Sequence, residues 1–458
     1  MARLIRLAAL WGVLVFLCRC WLMLRLRYQL EYGEGHMLGL AYYLSKGQPI
    51  YTPGANPPYV YGAHLPLYLW LVGLGLGDTP SFFPARLISV IASLVTVGAS
   101  AAWLKQKQGW TSACAGVSFL LIHPLLLGWG ALARVDNLGL CFSVLALLLA
   151  RPLPSAGLCL LALMSKQSFV AAPLALALSQ KPKAGGLFLI GYAVTAVLVF
   201  VGLNLSFFSG NLPILVHSVS DWPSAWMLWV TYLPSIAVLA GLACLAPGSL
   251  PGVGRLRWYA LASVLPVAAA VKQGSYYNYF LELHWALSML AALALSRQKL
   301  LPLALLQLLI GLFTQFPILK SPLDHWRRDT LPCLSGTEPA WFTRMRANDA
   351  LESFLQQHPG PVLAEQCGNP LLFGREPIVC DCFALFHDLA GSGAWDPTPL
   401  LEQLRRGEIA VVMLQRLDAS NLRVPPPVMQ VILQNYALAG RVEPGGDFLL
   451  VPRTRATR

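Results

Sequence analysis

The chain has 458 residues, with 33 Lys and Arg against 21 Asp and Glu, yet charged residues make up only 12% of it and hydrophobic residues 56%. A soluble domain carries about 25% charged residues, so the composition excludes an ordinary soluble enzyme. The net charge of +12 is equally no nucleic-acid patch, because the basic residues sit in short links between long apolar runs.

The first run, Leu7–Leu24, follows Met1-Ala-Arg-Leu-Ile-Arg and is not succeeded by a small-residue cleavage site. It reads as an uncleaved first span rather than a signal peptide. Arg19 lies inside it, a costly placement that calls for a partner in the bundle or a path to the interface. A long loop at about 25–83 follows. Within it, His36–Lys46 is bounded by Gly35 and Gly47 and suits a short interfacial helix, with Tyr42 and Tyr43 at headgroup level. A Pro/Gly/Tyr stretch and a short apolar piece, Leu65–Leu76, complete the loop; the latter is taken as partly inserted and not crossing.

Further runs lie at Ala85–Leu104, Trp110–Gly128 and Gly186–Leu205, with shorter ones at 137–150, 154–165, 168–179, 225–246, 257–271, 283–296 and 300–317. A span needs roughly 20 residues, so these predict about eleven helical spans, with 154–165 and 168–179 open to a re-entrant hairpin. The expected fold class is a mainly α polytopic bundle over residues 1–317. A small α/β domain over 318–458 is expected outside the membrane, with helices at Ala347–Gln357, 398–406 and 425–435. Its strands are expected at Pro361–Ala364, Pro377–Cys380, Ile409–Leu414 and Phe448–Val451.

The charge map orients the chain. Before residue 318 the only acids are Glu31, Glu34, Asp78, Asp136, Asp221 and Glu282, all in loops on one side. The opposite loops hold Arg3, Arg6, Lys105, Lys107, Arg151, Lys181, Lys183, Arg255, Arg257, Arg297 and Lys299 and no acid. The positive-inside rule makes that side cytoplasmic. The N-terminus is then cytoplasmic, and the tail is periplasmic or extracellular at a cell (inner) membrane.

Function is therefore sought on the outer face. Glu34, flanked by Gly33 and Gly35, and Asp136, in Ala-Arg-Val-Asp-Asn, are outer carboxylates suited to general base and orienting partner; interface-exposed acids are the plain alternative. Arg134, Lys166 and Lys272 end spans on the same side, against the positive-inside trend. Together they suit a lipid phosphate, although each alone is explained by snorkelling. Lys272–Glu282, KQGSYYNYFLE, adds Asn278, Tyr279 and Glu282, the stacking and hydrogen-bonding groups a sugar site uses. An aromatic belt explains its tyrosines alone. No Walker loop, dinucleotide fingerprint or HExxH motif occurs. Four tail cysteines, Cys333, Cys367, Cys380 and Cys382, leave disulfide pairing open.

YGEGHMLGLAYYLSKGQPIY (32–51), YGAHLPLYLW (61–70), ALARVDNLGL (131–140) and KQGSYYNYFLEL (272–283) together resemble the GT-C superfamily of polyprenyl-phosphate-sugar-dependent glycosyltransferases. The likeness is to the protein-mannosyltransferase and aminoarabinose-transferase-like branch, of family 39 type. The chain departs from that pattern at Gly33-Glu34, where members often have Asp-Glu, and at His64-Leu-Pro-Leu-Tyr, where they often have Pro-Pro-Leu-Tyr. The resemblance implies inverting transfer from a polyprenyl-phosphate-sugar donor to a glycan, lipid or protein acceptor. Glu34 would act as base and Asp136 would position the acceptor, or a divalent metal if one is used. Arg134, Lys166 and Lys272 would hold the leaving phosphate. Tyr61, His64, Asn278, Tyr279 and Glu282 would shape the sugar pocket. A lipid-linked sugar flippase is the main rival, but transporters favour repeated halves and midplane charges, and neither is visible here. An O-antigen ligase-type enzyme or a structural subunit are further alternatives.

Overall fold

The structure is a computed structural model of the chain. It describes every residue except 52–53, 55, 78, 204–206, 208–219, 318, 419–420, 422, 443–445 and 454–458. Asp78 and most of the loop at 206–224 thus lie outside the described residues.

All eleven apolar segments fall on helix. Up to residue 202 the elements are α1 (Ala2–Arg25), α2 (Tyr32–Ser45), α3 (Leu67–Leu74), α4 (Phe83–Gln108), α5 (Trp110–Leu121), α6 (Pro124–Trp129), α7 (Val135–Leu149), α8 (Pro152–Ser165), α9 (Ala171–Leu178) and α10 (Pro182–Gly202). Three of these, α1, α4 and α10, are long and apolar enough to cross a membrane; Trp222–Ser235 with Ala237–Cys244, bent by 62°, forms a possible fourth. The expected count of about eleven full spans is therefore coarser in the structure: a helical membrane bundle in which shorter apolar helices accompany the long ones. Proline accounts for several of the breaks. Pro124 starts α6 where the 110–128 run is cut, and Pro234 lies in the last turn before the 62° bend.

The surface of the long helices identifies their solvent. On α1, Leu4, Leu7, Leu10, Leu14, Leu17 and Trp21 are exposed, while Ile5, Val15, Phe16 and Met23 are buried. The exposed residues recur every three or four positions, which makes one continuous apolar stripe along the helix. On α10, Leu187, Ile190, Val194, Val197 and Val201 are likewise exposed. Contiguous apolar surface on this scale is at home in lipid and not in water. Arg19, inside α1, turns inward: it is 3.7 Å from Asp329 and stacks on Trp341.

The first outer loop departs from its expected place. Helix α2 is not an exposed interfacial helix but is buried along almost its whole length. Tyr43 is enclosed and its hydroxyl donates to the Pro377 carbonyl, while the Tyr42 hydroxyl bonds Glu376. Headgroup anchoring of Tyr43 is thereby corrected: the tail lies over the loop and supplies the partners. Glycine makes this approach possible. A Cβ at Gly39 would sit 2.4 Å from Cys380 Sγ, and one at Gly368 would sit 2.8 Å from Gly35 Cα. Overpacking a site this tight costs about 1–3 kcal/mol, so Gly39→Ala is expected to lower the thermal midpoint of the detergent-solubilised chain; an unchanged midpoint would mean the tail is free to shift. Helix α3 has eight residues, about 12 Å at ~1.5 Å per residue, and does not span a core of ~30 Å.

The tail contains a four-stranded sheet of β1 (Val362–Ala364), β2 (Val411–Leu414), β3 (Tyr436–Arg441) and β4 (Phe448–Pro452) in the order β1-β2-β4-β3. The β1/β2 pair is parallel and the others antiparallel. Strand β2 is buried at every position, because both faces of the sheet are covered. Leu400, Leu404, Val428 and Ile432, from Thr398–Arg406 and Pro426–Asn435, pack with Val412 and Leu414. Leu351 and Leu355, from Asp349–Gln357, pack with Val411 and Met413. The expected strand at Pro377–Cys380 is not one. Pro377 and Val379 make single bridges, to Val362 and to Tyr59 of the first outer loop.

Candidate functional site

The site forms where the loop helix α2, the start of α7, the end of α8, the 272–279 turn and the tail segment 381–388 meet. Its cavity has a volume of about 170 Å³ and is lined by residues that include His36, His64, Arg134, Lys166, Lys272, Asn278, Tyr279, Asp381 and Asp388. That is small beside the roughly 300–1,000 Å³ of typical ligand sites.

Helix geometry places the charges. Arg134 is the residue before α7, Asp136 lies in its first turn, and Lys166 follows the last turn of α8. An acid at a helix N-terminus and a cation at a C-terminus each oppose the helix dipole favourably. Since two residues link α7 to α8 and the helices pack together, Asp136 and Lys166 meet. Asp136 Oδ1 accepts from Lys166 Nζ at 2.7 Å and from Asn278 Nδ2 at 2.8 Å, and Oδ2 accepts from Trp129 Nε1 at 3.1 Å. Arg134 Nε lies 3.7 Å from Oδ2. Asp136 is 1% exposed, so it acts behind the cavity by holding the Lys166 and Asn278 side chains that line it.

Glu34 is more tightly held. Oε1 accepts from Arg86 Nε (2.8 Å) and the Ala133 N–H (2.9 Å), while Oε2 accepts from Arg86 Nη2 (2.8 Å) and the Leu30 N–H (2.9 Å). Both residues are fully buried. Burial raises the carboxyl's pKa, but Arg86 outweighs it and the net shift is downward. Glu34 lies outside the cavity wall. Both oxygens of the carboxylate are thus engaged, by four donors in all. At the neighbouring position, Gly33, a Cβ would fall 1.4 Å from Arg134 Nη1. The Arg134 guanidinium thus fills the space a side chain at 33 would take, 3.2 Å from Glu31, which also caps α2.

The sugar-pocket expectations divide. His64, Asn278 and Tyr279 line the cavity. Tyr61 packs instead into the tail's core beside Tyr59 and Val379, because residues 59–61 run along the tail. Glu282 turns away from Asn278 after a 3-10 turn and accepts from the Tyr259 hydroxyl at 2.8 Å inside the bundle. Neither lines the cavity. The tail contributes Asp381 and Asp388, which sequence reasoning missed. Burial raises the Asp388 pKa even though Lys272 lies 3.7 Å away. At Asp381 burial is outweighed by His36 and Tyr32, so its carboxyl is held low. Burial together with Lys166 and His36 keeps His64 well below the ordinary imidazole range, hence neutral.

Four polar atoms at this site, His36 Nδ1, His64 Nδ1, Asn278 Oδ1 and Arg134 Nε, are buried without a hydrogen-bond partner in the protein. Buried polar groups are normally satisfied, so this concentration marks a place where a polar ligand belongs. Among the described residues, no three His, Cys, Asp or Glu side chains converge as a metal site would require. Asp136 is already engaged by Lys166, Asn278 and Trp129.

The fold is similar to that of solved ArnT structures. The chain superposes on the crystal structure of ArnT from Cupriavidus metallidurans bound to undecaprenyl phosphate, with TM-score 0.58, 13% identity and coverage of 97% of this chain and 98% of that one. The apo ArnT crystal structure gives TM-score 0.55, 14% identity and 96% coverage of each chain. At such identity the likeness speaks for the fold alone. No family profile and no curated protein matches the sequence.

Proposed function

We propose that the protein is a membrane glycosyltransferase that moves a sugar from a polyprenyl-phosphate donor to an acceptor hydroxyl, with inversion, on the non-cytoplasmic face. One observation carries the reading. Arg134, Lys166 and Lys272 converge on a single cavity beside unsatisfied His64 and Asn278 atoms, in a chain whose fold matches a protein crystallised with undecaprenyl phosphate. Glycosyl transfer from such a donor releases a phosphate whose charge grows as the anomeric bond breaks. Cations already fixed in place stabilise that charge without reorganisation. Asp136 positions Lys166 and Asn278; Lys166 and Arg134 receive the phosphate; His64, Asn278 and Tyr279 meet the sugar. In this reading Glu34 and Arg86 form the scaffold that sets α2 against α4 and α7. The N-terminus is cytoplasmic, residues 1–317 form a catalytic bundle of about eleven spans, and residues 318–458 lie outside.

Undecaprenyl phosphate binding and sugar transfer by the purified chain test the reading. Lys272 is the most exposed of the three cations, with a side chain 33% exposed. Lys272→Ala is therefore expected to weaken undecaprenyl phosphate binding by about 5- to 10-fold, an exposed-to-half-buried ionic contact of about 1–1.4 kcal/mol. No binding and no transfer by the wild type, with movement of the lipid-linked sugar across a reconstituted bilayer instead, would make the protein a flippase.

A further inference from the structure

Asp381, on the tail, brings a carboxylate to a histidine on the loop helix. His36 Nδ1 is 2.6 Å from Asp381 Oδ2, and the two side chains are 5% and 12% exposed. The contact is an ion-pair approach at hydrogen-bond distance, and Nδ1 has no other partner in the protein. Asp381 is itself fixed. Its Oδ1 accepts from the Tyr32 hydroxyl at 2.5 Å and from the Ala384 N–H at 3.0 Å, and the Tyr32 hydroxyl accepts from the Phe383 N–H at 3.1 Å. The Arg423 guanidinium lies 4.0 Å over the Tyr32 ring. His36 lines the same cavity as Arg134, Lys166, Lys272 and Asn278, and its ring stands edge-on to His64 with centroids 6.1 Å apart.

With donor cations in place, the cavity still needs a group to take the acceptor's proton. Helix α2 presents no carboxylate for this: Glu34 is locked by Arg86, and the space at Gly33 holds the Arg134 guanidinium. We propose that His36 is the general base of the transfer and that Asp381 is its positioning residue, so that the soluble tail completes the active site. The proposal rests on the transferase reading above.

A carboxylate at Nδ1 selects the tautomer with the proton on that nitrogen, leaves Nε2 as the acceptor, and stabilises the imidazolium once formed. In the reaction the acceptor O–H proton passes to His36 Nε2 while the oxygen forms a bond to the anomeric carbon. The bond from that carbon to the donor phosphate oxygen breaks, and polyprenyl phosphate leaves with the electron pair, its added charge facing Arg134, Lys166 and Lys272. The imidazolium then returns its proton to water. The other carboxylate in the cavity, Asp388, is paired with Lys272 at 3.7 Å and is the rival base.

The test compares the full-length wild type with His36→Ala, His36→Asn, Asp381→Asn and Asp388→Asn. Undecaprenyl phosphate binding is measured beside transfer from an undecaprenyl-phosphate-linked sugar. General-base loss costs typically about 10²–10⁴-fold. His36→Ala is expected to bind undecaprenyl phosphate within about threefold of wild type, to lose transfer by at least about 100-fold, and to regain part of it with added imidazole. His36→Asn keeps a donor toward Asp381 but has no basic nitrogen, and is expected to be equally inactive. Asp381→Asn is expected to lower kcat with KM little changed. A fold-only role for His36 would lower binding and transfer together and give no imidazole rescue, which would overturn the proposal. So would an active His36→Asn, or an Asp388→Asn that alone abolished transfer. A wild type that neither binds undecaprenyl phosphate nor transfers sugar would overturn the transferase reading and the base role with it. An active wild type with active His36 variants would overturn the base role alone.

Discussion

Replacing Arg86 with alanine is expected to cost about 3–5 kcal/mol of stability, the penalty for leaving one member of a buried ion pair uncompensated. The site has no means of relief. Arg86 is fully buried, and besides its two bonds to Glu34 it donates to the carbonyls of Met23, Leu26 and Tyr28. It therefore ties the end of α1, the start of α2 and the start of α4 into one junction. Its removal strands the Glu34 carboxylate and three carbonyls at a fully buried position. Glu34→Gln also breaks the pair, and because Oε2 accepts from the Leu30 N–H and Oε1 from the Ala133 N–H, the single amide oxygen can keep only one of these two bonds. Paired measurements separate scaffold from chemistry. If Glu34→Gln loses transfer and thermal stability together, with undecaprenyl phosphate binding falling in step, the carboxylate is structural. If it loses transfer by about 100-fold or more with binding and stability intact, Glu34 is the base after all and His36 is not.

Much of this was legible in the sequence, because lipid imposes strong constraints. The apolar runs became helices because an unpaired backbone cannot sit in hydrocarbon. Arg134, Lys166 and Lys272 stood out as cations at helix ends, Asn278 and Tyr279 stood out in the stretch 272–282, His64 came only from the resemblance, and all six meet in one cavity. The tail helices at Asp349–Gln357, Thr398–Arg406 and Pro426–Asn435 came close to their expected bounds. What failed depended on partners far away in sequence. Glu34 looked like a free outer acid, because its partner Arg86 lies 52 residues on inside an apolar run. Tyr61 looked like a sugar-stacking ring, but its neighbours are the tail's strands and helices. Strand β3 was missed because half of Tyr436–Arg441 is exposed and it carries two residues of low strand preference, Ala439 and Gly440, at its bulge. His36 had a faint signal, an imidazole beside Gly33-Glu34-Gly35, but nothing local tied it to an aspartate between two cysteines 345 positions later.

The second large effect is expected at Lys166. Its Nζ is 2.7 Å from Asp136 Oδ1 and 4.6 Å from the Tyr279 ring centroid, and its side chain is 5% exposed. The ammonium is thus desolvated and immobile, and it lines the cavity where the proposed phosphate leaves. A fixed charge contributes most in such a place, because it needs no rearrangement as the transition state forms. Lys166→Met keeps the length of the side chain and removes the charge. It is expected to lower transfer by about 10²–10³-fold, the scale seen when one preorganised donor is deleted, while Asp136 keeps Asn278, Trp129 and Arg134 as neighbours. Asp136→Asn should be as inactive and also less stable, since it leaves Lys166 buried without its counter-charge. Steady-state transfer and thermal unfolding of the two variants decide the matter. An active Lys166→Met would shift the phosphate role to Arg134 and Lys272. A stable but inactive Lys166→Met beside an unstable, inactive Asp136→Asn would place Lys166 at the leaving phosphate and Asp136 behind it, holding the lysine in position.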